Sequence, residues 1–449
     1  MAKISNISGF PEYLPEERII EEQLLSSIGS IFRLHGFASM ETPSVELLST
    51  LTEKGGDEKE IYTLGRFQAE SDGQGSKEAE LGLHFDLTVP FARYVAQHLA
   101  RLTFPFRRSC YQKSWRGERP QKGRYREFGQ FDIDIVARDA LPIAADGEVV
   151  TVIAKVFARL EILRAEMRLN NRKILLGMYD SLGIGGEKRA KVVRIVDKLH
   201  KIGPEGVRKE LVDGEGIAGK VAENILKWAT LRSSASEAQN MLTGLGVENE
   251  TFHRGVEELL EVISLVPENL RAVLCVDLSL ARGLDYYTGT IFEVVLPDYP
   301  AFGSVSAGGR YDDLTAQFLP GQRLPAVGGS IGVTRLMGLI LEQRLYPVGA
   351  QCPSQILFTV YSEESRQRTN EWAEQFRERG IASEVYFKAA KLGKQIEYAN
   401  AKGIRFCAFV NEETGTLEMK DLVAQQQTAV VDIDSWIEQN RVVLRLEKK

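Results

Sequence analysis

Apolar residues recur at helical spacing between Pro15 and His35, where Ile20, Leu24, Ile28 and Ile31 share one face. Pro15 stands where a first-turn proline is tolerated, Glu16 and Glu17 complement the amino-terminal dipole, and Gly36 supplies a stop. Aromatic and branched residues then gather around Gly82 to Leu87, Phe104 to Trp115 and Arg126 to Val136, punctuated by Gly and Pro, which predicts strands of an antiparallel sheet. From about Gly185 to Val266 the pattern turns to short helices, as in Val192 to Leu199, broken by Gly203, Gly214, Gly216 and Gly244. Strand patterns return at Val273 to Val276 and Ile291 to Leu296. One sheet interrupted in sequence by a helical insertion, and continuous in space, accounts for this order.

A break follows at Tyr346 to Ala350, and beyond it strands and helices alternate. Ile356 to Val360, Ala382 to Phe387 and Arg405 to Val410 read as strands; Glu364 to Arg379 and Lys394 to Lys402 read as helices ended by Gly380 and Gly403. This predicts a small α/β domain with a partly parallel sheet. The expected layout is α+β: residues 1–350 with an insertion at about 185–266, then a second domain over 355–449.

Composition changes this picture little, since 43% hydrophobic and 26% charged residues describe an ordinary globular chain. No apolar run suits a signal sequence or a membrane span, so the reading is a cytoplasmic protein without membrane contact. Cys110, Cys275, Cys352 and Cys407 form no Cys-x-x-Cys pair, which supports neither a disulfide framework nor a zinc knuckle. A net charge of −6 argues against indiscriminate nucleic-acid binding.

Local charge differs. Arg101 to Arg126 holds nine basic side chains against one acid, Glu118, and this predicts a dedicated anion site on two strands and their connecting loop. Guanidinium groups make bidentate contacts to phosphate, and Arg residues around a turn with Gly117 and Gly123 suit a nucleoside triphosphate. Beside them Gln130, Asp132 and Asp134 share one strand face. A solvated basic hairpin explains the charge but not these neighbours.

The run from Trp115 to Phe128 resembles motif 2 of class II aminoacyl-tRNA synthetases, in the form found in histidyl-tRNA synthetases. The resemblance implies that Arg116 contacts the α-phosphate, that Glu118 meets the adenine end and Phe128 stacks on that ring, and that Gln130 holds the amino acid. Arg124 would join the ATP site, and Gln121 and Arg126 could meet the tRNA acceptor end. Ala281 to Thr290, taken alone, reads as a buried Tyr pair with a structural Arg; it closely resembles the family's histidine-specific motif, which makes Arg282 a catalytic partner of Arg116 and Tyr287 a ring contact. Ser306 to Asp312 puts two glycines before an Arg-Tyr pair, which permits close backbone approach to a ligand, with a plain tight turn as the bland alternative; it is similar to the other histidine-site segment, with Tyr311 in the pocket.

Gly328 to Leu336 looks like motif 3, a strand entering a helix near Val333, with Arg335 reaching the γ-phosphate. Asp86 and Thr88 match the residues that bind the α-ammonium, and Asp134 the one beside the imidazole. His35 to Pro43 resembles motif 1, whose proline sits at a dimer interface. The C-terminal runs Lys391 to Gln395 and Gly403 to Phe406 are similar to the family's anticodon-binding domain. His84 stands where the pattern has Arg, Gly117 and Gly129 where it often has His, and Asp134 where many members have Glu.

The resemblance covers essentially the whole chain. It implies a catalytic domain built on an antiparallel sheet flanked by helices and a homodimer that uses ATP with Mg2+, L-histidine and tRNA(His). No prosthetic group and no protein-held metal is expected. A histidine-sensing regulatory paralogue is the alternative; those typically lack the C-terminal domain and have degraded motifs. Another class II synthetase fits the Arg282 to Thr290 run poorly, and a general RNA-binding module fits neither the acidity nor the pocket carboxylates.

Overall fold

The computed structural model describes residues 5–52, 60–65, 80–161, 163–281, 287–319, 321–346 and 349–440. Contacts divide the chain into two compact units: one holds the residues up to Pro11 with Leu25–Leu339, the other Glu12–Leu24 with everything from Ile340. The Pro15–Leu34 helix forms as its period predicts, and Ile20, Leu24, Ile28 and Ile31 are all buried.

In chain order the strands of the first unit are β1 (Ala38–Ser39), β2 (Val45–Leu47), β3 (Thr63–Leu64), β4 (Leu81–Leu83), β5 (Phe106–Trp115), β6 (Glu127–Val136), β7 (Glu166–Asn171), β8 (Arg232–Ser234), β9 (Leu274–Asp277), β10 (Thr290–Val295), β11 (Ser304–Tyr311) and β12 (Ala326–Gly332). Among the described residues, nine of them form one sheet in the order β1-β5-β6-β12-β11-β10-β7-β9-β8. Its centre, from β5 across to β7, is antiparallel throughout. The large central sheet, flanking helices and mixed α/β content agree with the expected class.

Three local expectations need correction. Gly82 to Leu87 is not a strand of the central sheet: β4 ends at Leu83, pairs with β2 and β3 in a separate small sheet, and a helix begins at Thr88. Thr88 and Val89 look strand-forming, but Pro90 lies in the first helical turn, where its missing N–H costs nothing. Ser306 to Tyr311 is strand rather than tight turn, and Gly308, where a Cβ would meet Phe292 and the backbone of β12, lines the cleft described below. The stretch 185–266 is helical up to Ala229, but β8 then joins the central sheet against β9, and the Glu250–Leu265 helix packs on the Arg172–Ser181 and Ala144–Arg159 helices. The earlier helices keep a core of their own that includes Val192, Val196, Leu211 and Ile225.

The second unit carries β13 (Ile356–Phe358), β14 (Ser383–Val385), β15 (Phe406–Val410), β16 (Leu417–Asp421) and β17 (Gln426–Val430), in the order β14-β13-β15-β16-β17. β13 runs parallel to both its neighbours and the remaining pairs are antiparallel, the partly parallel sheet anticipated from the alternating pattern. Gly403 ends the Leu392–Lys402 helix in the left-handed conformation. Side chains on the two faces of this sheet enter separate cores, one around Phe376 and Trp436, the other around Tyr386 and Ile404.

Candidate active site

The β5–β6 hairpin and the β12–β11–β10 strands beside it form the floor of a cleft of about 620 Å³. Alternation along β6 puts Phe128, Gln130, Asp132 and Asp134 on the same face, and all four line the cleft. At the usual strand rise that row is about 20 Å long. Its ends differ in charge.

At the Phe128 end, Arg116, Arg124 and Arg335 line the cleft together with Glu118. The Arg116 guanidinium lies over the rings of Phe85 (4.2 Å) and Phe128 (5.0 Å), and its Nε donates to the Phe85 carbonyl. Arg124 pairs with Glu118 at 3.2 Å. Arg335 donates to the carbonyls of Gly123 and Ser304, which ties the hairpin turn to the start of β11. Burial strips its hydration and Arg124 and Arg116 add like charge, so its pKa falls to about 10. Such a cluster of guanidinium groups favours a polyanion.

At the other end, Asp86, Thr88, Asp134, Tyr287 and Tyr311 line the same cleft. The Tyr311 hydroxyl donates to Asp134 Oδ1 at 2.5 Å, and Arg108 Nε lies 2.7 Å from Asp134 Oδ2. Arg108 is 1% exposed, stacks on Phe91 and donates to the Leu87 carbonyl. Gly328 faces Asp134 across the β6–β12 ladder, and a Cβ there would fall inside the carboxylate. Gln130 donates to Ser330 at 2.9 Å, while its Oε1 has no hydrogen-bond partner among the described residues. Burial raises the pKa of Asp132 to about 7 and raises that of Asp134 as well, with Arg108 acting to lower both.

The cleft therefore brings together Asp86, Thr88, Arg116, Glu118, Arg124, Phe128, Gln130, Asp134, Tyr287, Tyr311 and Arg335, residues up to about 250 positions apart in a sequence whose motifs alone suggested their grouping. Arg282 lies outside the described residues. Gln121 and Arg126 are not part of this lining. Gln121 is exposed at the turn, bordering a shallow hollow with Gly9, Phe10 and Pro120. Arg126 donates to the carbonyls of Glu118 and Ser8 and so braces the turn.

The nine basic residues do not form a single anion site. Arg107 pairs with Glu148 and Lys113 with Glu127, while Arg108 turns to the carboxylates at the far end of the cleft. Sequence reasoning missed Arg108 and left Asp132 without a role. Arg108 stands directly opposite Asp134 in the β5–β6 register, a fact available only once the hairpin's pairing is known. Val193, Arg194 and Asp197 of the inserted helices also line the cleft.

Comparisons with known proteins follow this geometry. A family model described as histidyl-tRNA synthetase matches residues 9–336, and one described as anticodon binding domain matches residues 347–440. The chain is 45% identical to a histidine–tRNA ligase of Thermobifida fusca, over 96% of this chain and 97% of the relative. It is 40% identical to that of Micrococcus luteus, over 97% and 96%. Among solved structures, a histidyl-tRNA synthetase from Nostoc sp. PCC 7120 superposes with a TM-score of 0.86 at 34% identity, covering 98% of this chain and all of the other.

Proposed function

This chain belongs to the histidyl-tRNA synthetase family, so its reaction is ATP-dependent ligation of histidine to tRNA, and we propose how the cleft performs it. The observation that carries the reading is the charge gradient along β6, cationic around Arg116, Arg124 and Arg335 and anionic around Asp86 and Asp134. ATP lies at the first end and L-histidine at the second, which brings the amino acid's carboxylate to the α-phosphorus between them. Its attack in line forms histidyl-adenylate and expels pyrophosphate. The 3′-terminal ribose hydroxyl of tRNA(His) then attacks the adenylate's carbonyl and releases AMP.

No protein nucleophile takes part; the side chains position the reactants and stabilise charge as it develops on phosphoryl oxygens. Arg116 and Arg282 act on the α-phosphate, Arg124 and Arg335 on the outer phosphates. Glu118 and Phe128 hold the adenine. Asp86 and Thr88 bind the α-ammonium, Gln130 the amino acid's main chain, and Asp134, Tyr287 and Tyr311 bound the ring. Mg2+ bound to ATP would neutralise part of the triphosphate's charge. That ion would be carried by ATP and met by one or two carboxylates, with Glu118 and Glu293 lining the cleft. Gln121 is free of the cleft and exposed, suited to the acceptor end of tRNA.

Residues 347–440 read the anticodon, residues before them form the catalytic domain, and the enzyme works in the cytoplasm as a homodimer. Support for the dimer comes from the small β2–β4–β3 sheet, which exposes Val45, Leu47, Leu64 and Leu81 on one face. The regulatory alternative is not favoured, because the anticodon-binding match is intact and relatives at 40–45% identity are ligases.

The test is ATP–pyrophosphate exchange across the twenty amino acids, followed by charging of tRNA. Histidine alone should drive exchange, and Arg116→Ala or Arg282→Ala should lower it by about 10²-fold or more. Exchange driven by a different amino acid would overturn the reading.

A further inference from the structure

Tyr287 and Tyr311, the two tyrosines at the histidine end of the cleft, come from different segments, and a polar linkage behind the cleft joins those segments. The regular β10–β11 ladder stops at Ile291 opposite Gly309. Tyr287 and Thr288 lie beyond it, and Thr288 makes the next attachment to β11. Its N–H donates to the Arg310 carbonyl at 2.8 Å and its hydroxyl to Asp312 Oδ2 at 2.5 Å. Tyr287 itself lies against Gly309, where a Cβ would come within 3.1 Å of the ring. Thr288 thus grips the residues on either side of Tyr311.

Arg310 anchors this attachment in the core. It is buried, and its guanidinium meets both oxygens of the fully buried Asp146, which stands in the first turn of the Ala144–Arg159 helix: Nε to Oδ1 at 3.2 Å and Nη2 to Oδ2 at 2.5 Å. Nη2 also donates to the Leu141 carbonyl at 2.9 Å, and Nη1 lies 3.5 Å from Asp312 Oδ1. A planar guanidinium held bidentately has a fixed direction, so it presents Asp312 to Thr288 in one geometry. Thr288, Arg310 and Asp312 stand outside the cleft lining. They can act on a ligand only through neighbours that do line it.

Resting on the ligase reading above, we propose that Thr288 and Asp312 are positioning residues for histidine: their bond, backed by Arg310 and Asp146, sets Tyr287 in place beside Tyr311 and so fixes the width of the ring pocket. Tyr311 is secured from the sheet through Asp134 on β6, whereas Tyr287 rides on the segment that Thr288 attaches. A pocket with one wall on each needs the two in register, and a misplacement of about 1 Å can cost about 10²-fold in rate. The ATP end is built separately. Arg116 and Arg124 belong to the β5–β6 hairpin and Arg335 to the helix after β12, none of them bonded to this linkage. The linkage therefore acts on histidine and not on ATP.

ATP–pyrophosphate exchange by the full-length protein and its variants tests this. Thr288→Val keeps the side chain's shape and removes the hydroxyl; it should raise the KM for histidine about tenfold and leave the KM for ATP within about twofold. Thr288→Ser, which keeps the hydroxyl, should stay within about threefold of wild type on both. Asp312→Ala should reproduce the Thr288→Val effect, and the double variant should be no worse than the worse single, because both remove one bond. The Asp312 side chain is 35% exposed, so this variant carries the same readout if Thr288→Val folds poorly. Wild-type kinetics in both singles, equal losses for histidine and ATP, a Thr288→Ser as impaired as Thr288→Val, or losses that multiply in the double variant would each overturn the proposal. Exchange driven in the wild type by another amino acid instead of histidine sinks the ligase reading, a separate outcome.

Discussion

Arg108 heads the large side chains that are fully hidden from solvent, and it holds two carboxylates beside it. Removing one partner from a buried ionic group leaves the others uncompensated, so Arg108→Met should destabilise the fold by about 3–5 kcal/mol in urea titrations near neutral pH. Asp132 behaves oppositely. Its pKa is about 7 in the folded state against an ordinary carboxylate value when unfolded. A raised folded pKa gives stability that is complete below the unfolded pKa and is lost as pH climbs to the folded one. Asp132→Asn should therefore match the wild type near pH 4, gain on it between about pH 4 and 7, and stay ahead by about 2–4 kcal/mol at pH 8. Urea midpoints across that range check the sign; a variant that is less stable at pH 8 than the wild type contradicts it.

At the scale of elements, the cleft depends on how closely β12 approaches β6. Gly328 stands opposite Asp134, and a methyl group there would occupy the space of the carboxylate, with the Ile133 carbonyl also in the way. Gly328→Ala should cut histidine-dependent exchange by about 10²-fold or more, by moving Asp134 away from Tyr311 and Arg108. A variant with wild-type kinetics would show that the strand can shift without cost. Many elements were legible from local pattern, namely the Pro15–Leu34 helix, the β5–β6 hairpin and the order of the second unit, while β12 running into the Val333–Glu342 helix came from the motif resemblance. The failures share a cause. Thr88 and Val89 favour strands by side-chain type, and Ser306 to Tyr311 favours a turn by its glycines, yet tertiary neighbours decided both.

For the molecule as a whole, the apolar face made by Val45, Leu47, Leu64 and Leu81 calls for a cover. If a second copy provides it, Leu47→Asp combined with Leu81→Asp should move the sedimentation coefficient from dimer to monomer at micromolar concentration. An unchanged coefficient would place the dimer contact elsewhere. Among the described residues no helix is long and apolar enough to cross a membrane. What the sequence by itself determined was the set of local periods, the motifs in their order and hence the family, because these depend on residues close together along the chain. Tertiary structure alone decided that Arg108 leaves the basic cluster to serve the carboxylates, that Gln130 meets Ser330 across 200 positions, and that Asp132 is buried beside Arg108. Those pairings follow from strand register, which places side chains from distant segments face to face and has no signature in either segment read alone.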